Sequence, residues 1–276
     1  MKKPVKRVAV IHDLCGVGKA ALTNIMPVLS VMGIEACPIP TMLLSTHTGG
    51  FGPPDIVKLP GYIDRCSKHY EKNKIEFHSV FIGYLGNEEN IESSIKFIKA
   101  QKVTNIIVDT IFGDNGKCYS NFNRDYIEKI KILIPLSTLI TPNFTEASLL
   151  AGVEYEDTCT DEKLNYICSE LVKLGSSNII ITSVPSEDIG LIGMAIYENG
   201  ELKVIYKERK KISYPGTGDI FTSVVIGSIL RGANLYESAV YSHDFVSECI
   251  EESMKYDYPS REGVLLERKL SLLLDK

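Results

Sequence analysis

The amino-acid sequence predicts an α/β fold in which a mostly parallel central sheet is covered by helices on both faces and carries an antiparallel hairpin at one edge. Two observations predict it. Short, nearly continuous apolar runs recur along the chain and alternate with helix-length amphipathic stretches, the pattern of parallel strands buried on both sides. Two later runs are joined instead by Glu198-Asn199-Gly200, whose Asn-Gly pair closes tight hairpins.

Taken in order, residues 6–11 are β-branched and apolar, a strand running into the glycine-containing turn Asp13-Leu14-Cys15-Gly16-Val17-Gly18 and a helix over 19–32. A short strand at 34–39, a polar Gly/Pro loop at 46–54 and an amphipathic stretch at 56–73 repeat that order. Further strands are expected at 77–82, 105–108, 138–140 and 178–181, each followed by a helical pattern. The hairpin spans 191–206, and a basic linker covers 207–211. A helix then opens at Gly216-Thr217-Gly218-Asp219 and reaches Arg231-Gly232, another runs over 236–252, and the tail at 261–274 reads as helical.

At 276 residues, 44% hydrophobic and 24% charged, the chain reads as one domain over 1–276 with ample core and no repeat, low-complexity tract or dividing linker. A net charge of -5 provides no general attraction for nucleic acid. Apolar runs such as 77–85 stop short of the roughly 18 to 20 residues a membrane span needs. The basic start, Met1-Lys2-Lys3-Pro4-Val5-Lys6-Arg7, precedes an apolar stretch that ends at His12-Asp13 without a cleavage site, so a cytoplasmic protein is expected. Seven cysteines, an odd number without a C-x-x-C pair, read as reduced thiols. Five scattered histidines without H-E-x-x-H argue against a protein-built transition-metal site, so any metal is expected to arrive with a substrate.

Ligands of open parallel sheets bind beyond the carboxyl ends of the strands, which directs attention to five loops. Gly216-Thr217-Gly218-Asp219 is the strongest: glycine-turn N–H groups at a helix start make an anion hole, and the adjoining carboxylate can deprotonate a hydroxyl beside a transferring phosphoryl group. Asp219 is the candidate base. Asp109-Thr110-Ile111-Phe112-Gly113-Asp114 and Thr141-Pro142-Asn143-Phe144-Thr145-Glu146 follow strands and offer oxygen ligands of the kind Mg2+ prefers, although Asn143 and Glu146 also have the spacing of a helix capping box. Ser45-Thr46-His47-Thr48-Gly49-Gly50-Phe51-Gly52 can hold a small polar ring or form a lid. Gly16-Val17-Gly18-Lys19-Ala20-Ala21 fits G-x-G-x-x-A with Glu35 downstream, which alone suggests a nicotinamide-dependent oxidoreductase, but also suits a tight turn.

Taken together these segments resemble the ribokinase-like superfamily and, within it, the pyridoxal (vitamin B6) kinases. The superfamily's G-[AT]-G-D stands as Gly216-Thr217-Gly218-Asp219. The narrower likeness rests on Ser45-Thr46-His47-Thr48-Gly49, Gly83-Tyr84-Leu85-Gly86, Asp109 with Gly113-Asp114, and Thr141-Pro142-Asn143 with Glu146, in the family's order. The resemblance implies a three-layer α/β/α ribokinase-like fold and transfer of the γ-phosphoryl of ATP to the 5'-hydroxymethyl of pyridoxamine, pyridoxal or pyridoxine. It implies Asp219 as base and Gly216, Thr217 and Gly218 as the phosphoryl cradle. It places Asp109, Asn143 and Glu146 near ATP and Mg2+, Asp114 and Thr141 near a monovalent cation (K+ or Na+), and Thr182 and Ser183 at the nucleotide. Asp13, His47, Thr48 and Tyr84 are expected to line the vitamin pocket, and a homodimer is expected.

Two departures bear on the substrate and the metal. The family's D-P-V-x-G-D reads Asp109-Thr110-Ile111-Phe112-Gly113-Asp114, without the proline. Asp13 replaces the serine common in pyridoxal kinases and is similar to the D-x-x-G-G-A-G loop of hydroxymethylpyrimidine kinases of thiamine synthesis, which are the alternative. An anionic Asp13 is expected to favour a cationic amine, hence pyridoxamine. A non-catalytic small-molecule sensor on the same fold predicts binding without turnover, and the intact Asp219 argues against it.

Overall fold

The computed structural model describes residues 4–274; residues 1–3 of the basic start lie outside them. The chain begins with β1 (Arg7–Val17), α1 (Leu22–Val31), β2 (Glu35–Thr46), β3 (Ile56–Lys58), α2 (Tyr62–Lys72), β4 (Ser79–Ile82) and α3 (Glu88–Gln101). It continues through β5 (Ile106–Val108), the small hairpin β6 (Gly113–Asp114) and β7 (Lys117–Cys118), α4 (Arg124–Ile130), β8 (Leu139–Ile140), α5 (Phe144–Ala151) and α6 (Asp161–Lys173). It closes with β9 (Ile179–Pro185), β10 (Leu191–Glu198), β11 (Glu201–Glu208), α7 (Thr217–Arg231) and α8 (Leu235–Ser253). One sheet has the order β11-β10-β9-β8-β5-β4-β1-β2-β3, parallel from β9 to β2 and antiparallel at both edges.

The period-two alternation of the strands sorts their side chains into two cores. Ala9, Ile11, Val80, Ile82, Val108 and Ile140 face the layer containing α2 to α6, where Phe97 and Leu164 are buried. Val8, Val10, Phe81, Ile107, Leu139 and Ile180 face α1, α7 and α8, the layer of Leu29, Val224 and Phe245. Five helices start where their sequences supply side-chain caps: Asn87, Asn123, Asn143, Thr160 and Asn234 each accept a backbone N–H from the third helical residue. This is the three-layer fold expected, with the hairpin β10–β11 on the β9 edge.

Several expected boundaries are corrected. β1 does not end at Ile11 but pairs with β2 as far as Val17↔Thr46 after a register shift at His12/Leu14, so Gly16 lies in a strand and not in a turn. There a Cβ would stand 2.7 Å from the Ser45 carbonyl of the neighbouring strand. β9 runs on to Pro185 and leads into β10 rather than a helix, because its far end still has an antiparallel partner. The stretch at 56–73 splits into an edge strand and α2, the linker at 207–211 begins inside β11, and the tail forms three short 3-10 turns instead of a helix. Leu266 and Leu273 of that tail are buried against the α1/α7/α8 layer, so tertiary packing holds it without a continuous helix.

Candidate active site

The first turn of α7 lies against the β1–α1 loop at the carboxyl edge of the sheet. Gly216 caps α7 with φ 77°, and a Cβ there would collide with the Lys19 carbonyl and the Asn24 amide. Asn24 Nδ2 donates to both the Lys19 and the Gly216 carbonyls, stitching the two loops together. The first-turn N–H groups of α7 have no carbonyl behind them in the helix, and Gly218 opens onto free space, with nothing within 4 Å of where a Cβ would lie. Thr217 Oγ1 donates to the Tyr214 carbonyl, which turns the Thr217 side chain back toward the turn.

Asp219 is 8% exposed and held at both oxygens. Its Oδ2 accepts the Ala21 N–H at 2.6 Å, and its Oδ1 lies 3.1 Å from His12 Nε2. Lys19 and Ala21 have φ 46° and 60°, so two non-glycine residues occupy left-handed backbone where the loop meets this carboxylate. His12 reaches onward to Asp13, 2.7 Å from Nδ1 to Oδ1, and Asp13 Oδ2 accepts from Cys15 Sγ. Burial alone would lower the His12 pKa, but attraction to Asp219 and hydrogen bonds to Asp13 and Asp219 outweigh it and push it up to about 10. His12 was not among the residues expected from sequence; its signal is a polar pair, His12-Asp13, interrupting an otherwise apolar buried strand.

A second acidic group sits beside the first. Asp109, 6% exposed, accepts from Thr222 Oγ1 at 3.2 Å, and Thr222 in turn meets Thr141 Oγ1 at 3.0 Å. Burial, then the like charges of Glu146 and Asp219, hold the Asp109 carboxyl well above the usual carboxylate range. Glu146 forms the capping box with Asn143 and also clamps the preceding loop, accepting from Phe112 N, Gly113 N, Thr110 Oγ1 and Asn143 N. Burial raises its pKa to about 7 despite those donors. With all four donors in place, its oxygens have no free direction for direct metal coordination. Of the two residues expected near a monovalent cation, Asp114 stands exposed on β6 and accepts from Asn115, while Thr141 is buried. Among the described residues no three acidic, histidine or cysteine side chains close into a metal cage.

Asn143 pairs across to Thr182, whose N–H donates to the Pro142 carbonyl. The β9–β10 register shifts at this point, and Ser183 takes φ 56°, so a bulge lifts Thr182 and Ser183 out of the ladder beside Asn143.

Cys15, Ala21, Met42 and Leu44 form a small apolar cluster against Tyr84, next to Asp13. The Tyr84 hydroxyl accepts from Asn121 Nδ2, and burial raises its pKa to about 12. His47, expected at the vitamin pocket, donates through Nε2 to the Arg261 carbonyl, accepts from Gly49 N at Nδ1, and fills the space over Gly18 with its ring. Thr48 is exposed on the same loop. The loop is thereby latched to the C-terminal segment, Arg261 also lying over the Phe51 ring and donating to the Gly50 carbonyl. The oxidoreductase reading fails here, because Gly16 is in a strand, Gly18 is covered by His47, and Glu35 pairs with Arg7.

A doubly covered, mostly parallel sheet with a glycine-turn helix start and a buried carboxylate at its carboxyl edge defines the ribokinase-like class of kinases. The sequence profile of the phosphomethylpyrimidine kinase family matches residues 63–262, and the chain belongs to that family. A phosphomethylpyrimidine-kinase-like protein of Bacteroides thetaiotaomicron superposes with TM-score 0.95 at 33% identity, covering 99% of this chain and 95% of that one. A second crystal form of that protein, obtained with pyridoxal, superposes with TM-score 0.92. Pyridoxal kinase from Lactobacillus plantarum superposes with TM-score 0.90 at 28% identity, covering 99% and 97% of the two chains. Hydroxymethylpyrimidine/phosphomethylpyrimidine kinase from Aquifex aeolicus is 27% identical over 210 residues, 74% of this chain and 76% of the relative. The chain is a kinase of this family, and its relatives divide between two ring alcohols. No helix among the described residues is long and apolar enough to cross a membrane.

Proposed function

We propose that the chain transfers the γ-phosphoryl group of ATP to the 5'-hydroxymethyl group of a vitamin B6 vitamer. The observation that carries this is the placement of Asp219 in the first turn of α7, its two oxygens aimed by Ala21 N–H and His12, beside amides that have no intrahelical partner. A substrate hydroxyl presented to Asp219 loses its proton to the carboxylate as its bond to the γ-phosphorus forms and the bond from that phosphorus to the leaving ADP oxygen breaks. The N–H groups of Gly216, Thr217 and Gly218 hold the charge that develops on the phosphoryl oxygens. Positioning and charge stabilisation supply most of the acceleration.

The nucleotide is assigned to the adjoining rim, with Asn143, Thr182 and Ser183 as its contacts. Asp109 fits a hydrated Mg2+, being a buried carboxylate with one hydrogen-bond donor and two acidic neighbours whose repulsion a cation relieves. Mg2+ bound there supplies neutralisation of phosphate charge. Glu146 acts through water or through the loop it clamps. Thr141 and Asp114 have no contact in common, so a monovalent cation is assigned to neither as a pair.

The acceptor ring is assigned to the side of the site where Asp13 and Tyr84 adjoin the small apolar cluster of Cys15, Met42 and Leu44. Both oxygens of Asp13 already have partners and its charge faces His12, which removes the physical ground for expecting pyridoxamine over pyridoxal. The Lactobacillus relative and the pyridoxal-bound crystal form favour B6; the family description and the Aquifex relative favour hydroxymethylpyrimidine as the second reading.

The test is ATP-dependent phosphate transfer to pyridoxal, pyridoxamine, pyridoxine and hydroxymethylpyrimidine, followed by mass, with Asp219→Ala as blank. Product from a B6 vitamer is expected, with kcat lowered about 10²- to 10⁴-fold in the variant and nucleotide affinity retained. Product from the pyrimidine alone moves the chain to the second reading, and equal activity of Asp219→Ala removes Asp219 as base.

A further inference from the structure

His12 is 2% exposed and has a carboxylate at each end. Nδ1 lies 2.7 Å from Asp13 Oδ1 and Nε2 lies 3.1 Å from Asp219 Oδ1. An ionised carboxylate only accepts hydrogen bonds, so a ring that serves both must carry a proton on each nitrogen. The Asp13 N–H also lies 3.0 Å from Nδ1 and competes for that atom, but the 2.7 Å contact has the length of a charge-assisted bond and decides the assignment. Room for the ring is reserved: a Cβ on Gly83 would collide with it, and Phe81 packs edge-on at 6.0 Å.

We infer that His12 is a positioning residue, a buried imidazolium that fixes the orientation of Asp219 and ties that base to Asp13 at the acceptor side of the site. This rests on the kinase reading above. The charged or titratable groups around the ring are Asp13 and Cys15 from β1, Asp219 from α7 and Asp109 beyond the end of β5, whereas β4 and the residue after it present only the Phe81 ring and Gly83. Among the described residues the ring is thus the cation between Asp13 and Asp219, and without it the two carboxylates stand as like charges on either side of its place. Such a pair holds on to a proton at higher pH than either carboxylate alone.

Two measurements on the full chain test this. In the wild type, the 15N resonances of the His12 ring are expected to report both nitrogens protonated at pH 8, with Asp219→Asn bringing deprotonation to lower pH. This readout needs no turnover. In kinetics, His12→Gln is expected to lower kcat about 10- to 100-fold with KM for both substrates nearly unchanged. It should also move the acidic limb of the kcat–pH profile up by about one unit, since losing the adjacent cation makes the base easier to protonate. Adding Asp13→Asn to His12→Gln should move the limb back. A neutral His12 ring at pH 8, or an unmoved limb in folded His12→Gln, overturns the inference while leaving the kinase reading intact. A wild type that phosphorylates none of the four acceptors overturns that reading, and the positioning role with it.

Discussion

Gly216 and Gly218, two residues apart in the same motif, do different work at the residue scale. Gly216 combines φ 77° with a Cβ position already occupied by the β1–α1 loop, whereas Gly218 has open space there. Gly216→Ala is therefore expected to cost roughly 2 to 4 kcal/mol, the sum of left-handed strain and overpacking, measured as a lowered denaturant midpoint. Gly218→Ala is expected to leave that midpoint within about 0.5 kcal/mol while reducing phosphoryl transfer, because its methyl group enters the space assigned to the phosphate. If both variants lose stability equally, the open face at Gly218 is wrong. The G-T-G-D pattern is legible in sequence, but the different burdens on its two glycines are not, because the loop that crowds Gly216 lies almost 200 residues earlier in the chain.

At the scale of elements, Glu146 joins the start of α5 to the loop after β5. The spacing from Asn143 to Glu146 correctly indicates a capping box, yet the same carboxylate also takes three donors from Thr110, Phe112 and Gly113, which sequence spacing cannot reveal. Each oxygen faces two donors, so in Glu146→Gln the amide nitrogen meets donors whichever way it is turned. A loss of about 1 to 3 kcal/mol is expected, with faster hydrogen exchange at the Phe112 and Gly113 amides. Unchanged exchange at those two amides would show that the clamp contributes nothing to the loop. Strand lengths tell a similar story: β1 and β2 run well past their apolar cores because ladder pairing continues through Cys15-Gly16-Val17 opposite Leu44-Ser45-Thr46, where periodicity had already faded.

For the whole molecule, the buried charges set how stability varies with pH. His12, raised from 6.5 to about 10, gives stability that is fully present below pH 6.5 and is lost as pH rises through 10, since the unfolded chain releases that proton first. Glu146 is raised from 4.5 to about 7, so between those values the native state keeps a proton the unfolded chain has given up. Stability from this group therefore also falls with rising pH. The denaturant midpoint of the ligand-free chain is expected to decline from about pH 5 to 10, and His12→Gln to flatten the part above pH 7. A wild-type midpoint constant from pH 7 to 10 would refute an ionised His12 with this partnership.

By itself the sequence determined the layered parallel sheet, the β10–β11 edge, the Asn143–Glu146 capping box and the glycine-turn carboxylate at Asp219, because each is written in local patterns of period, cap or turn chemistry. Tertiary structure alone decided that His12 lies between Asp13 and Asp219, that His47 latches onto the C-terminal segment, and that Asp114 stands out in solvent. Those outcomes depend on which strand ends the fold brings together and on how burial and neighbouring charge act once they meet, and neither distance nor burial is encoded within any one stretch of the chain.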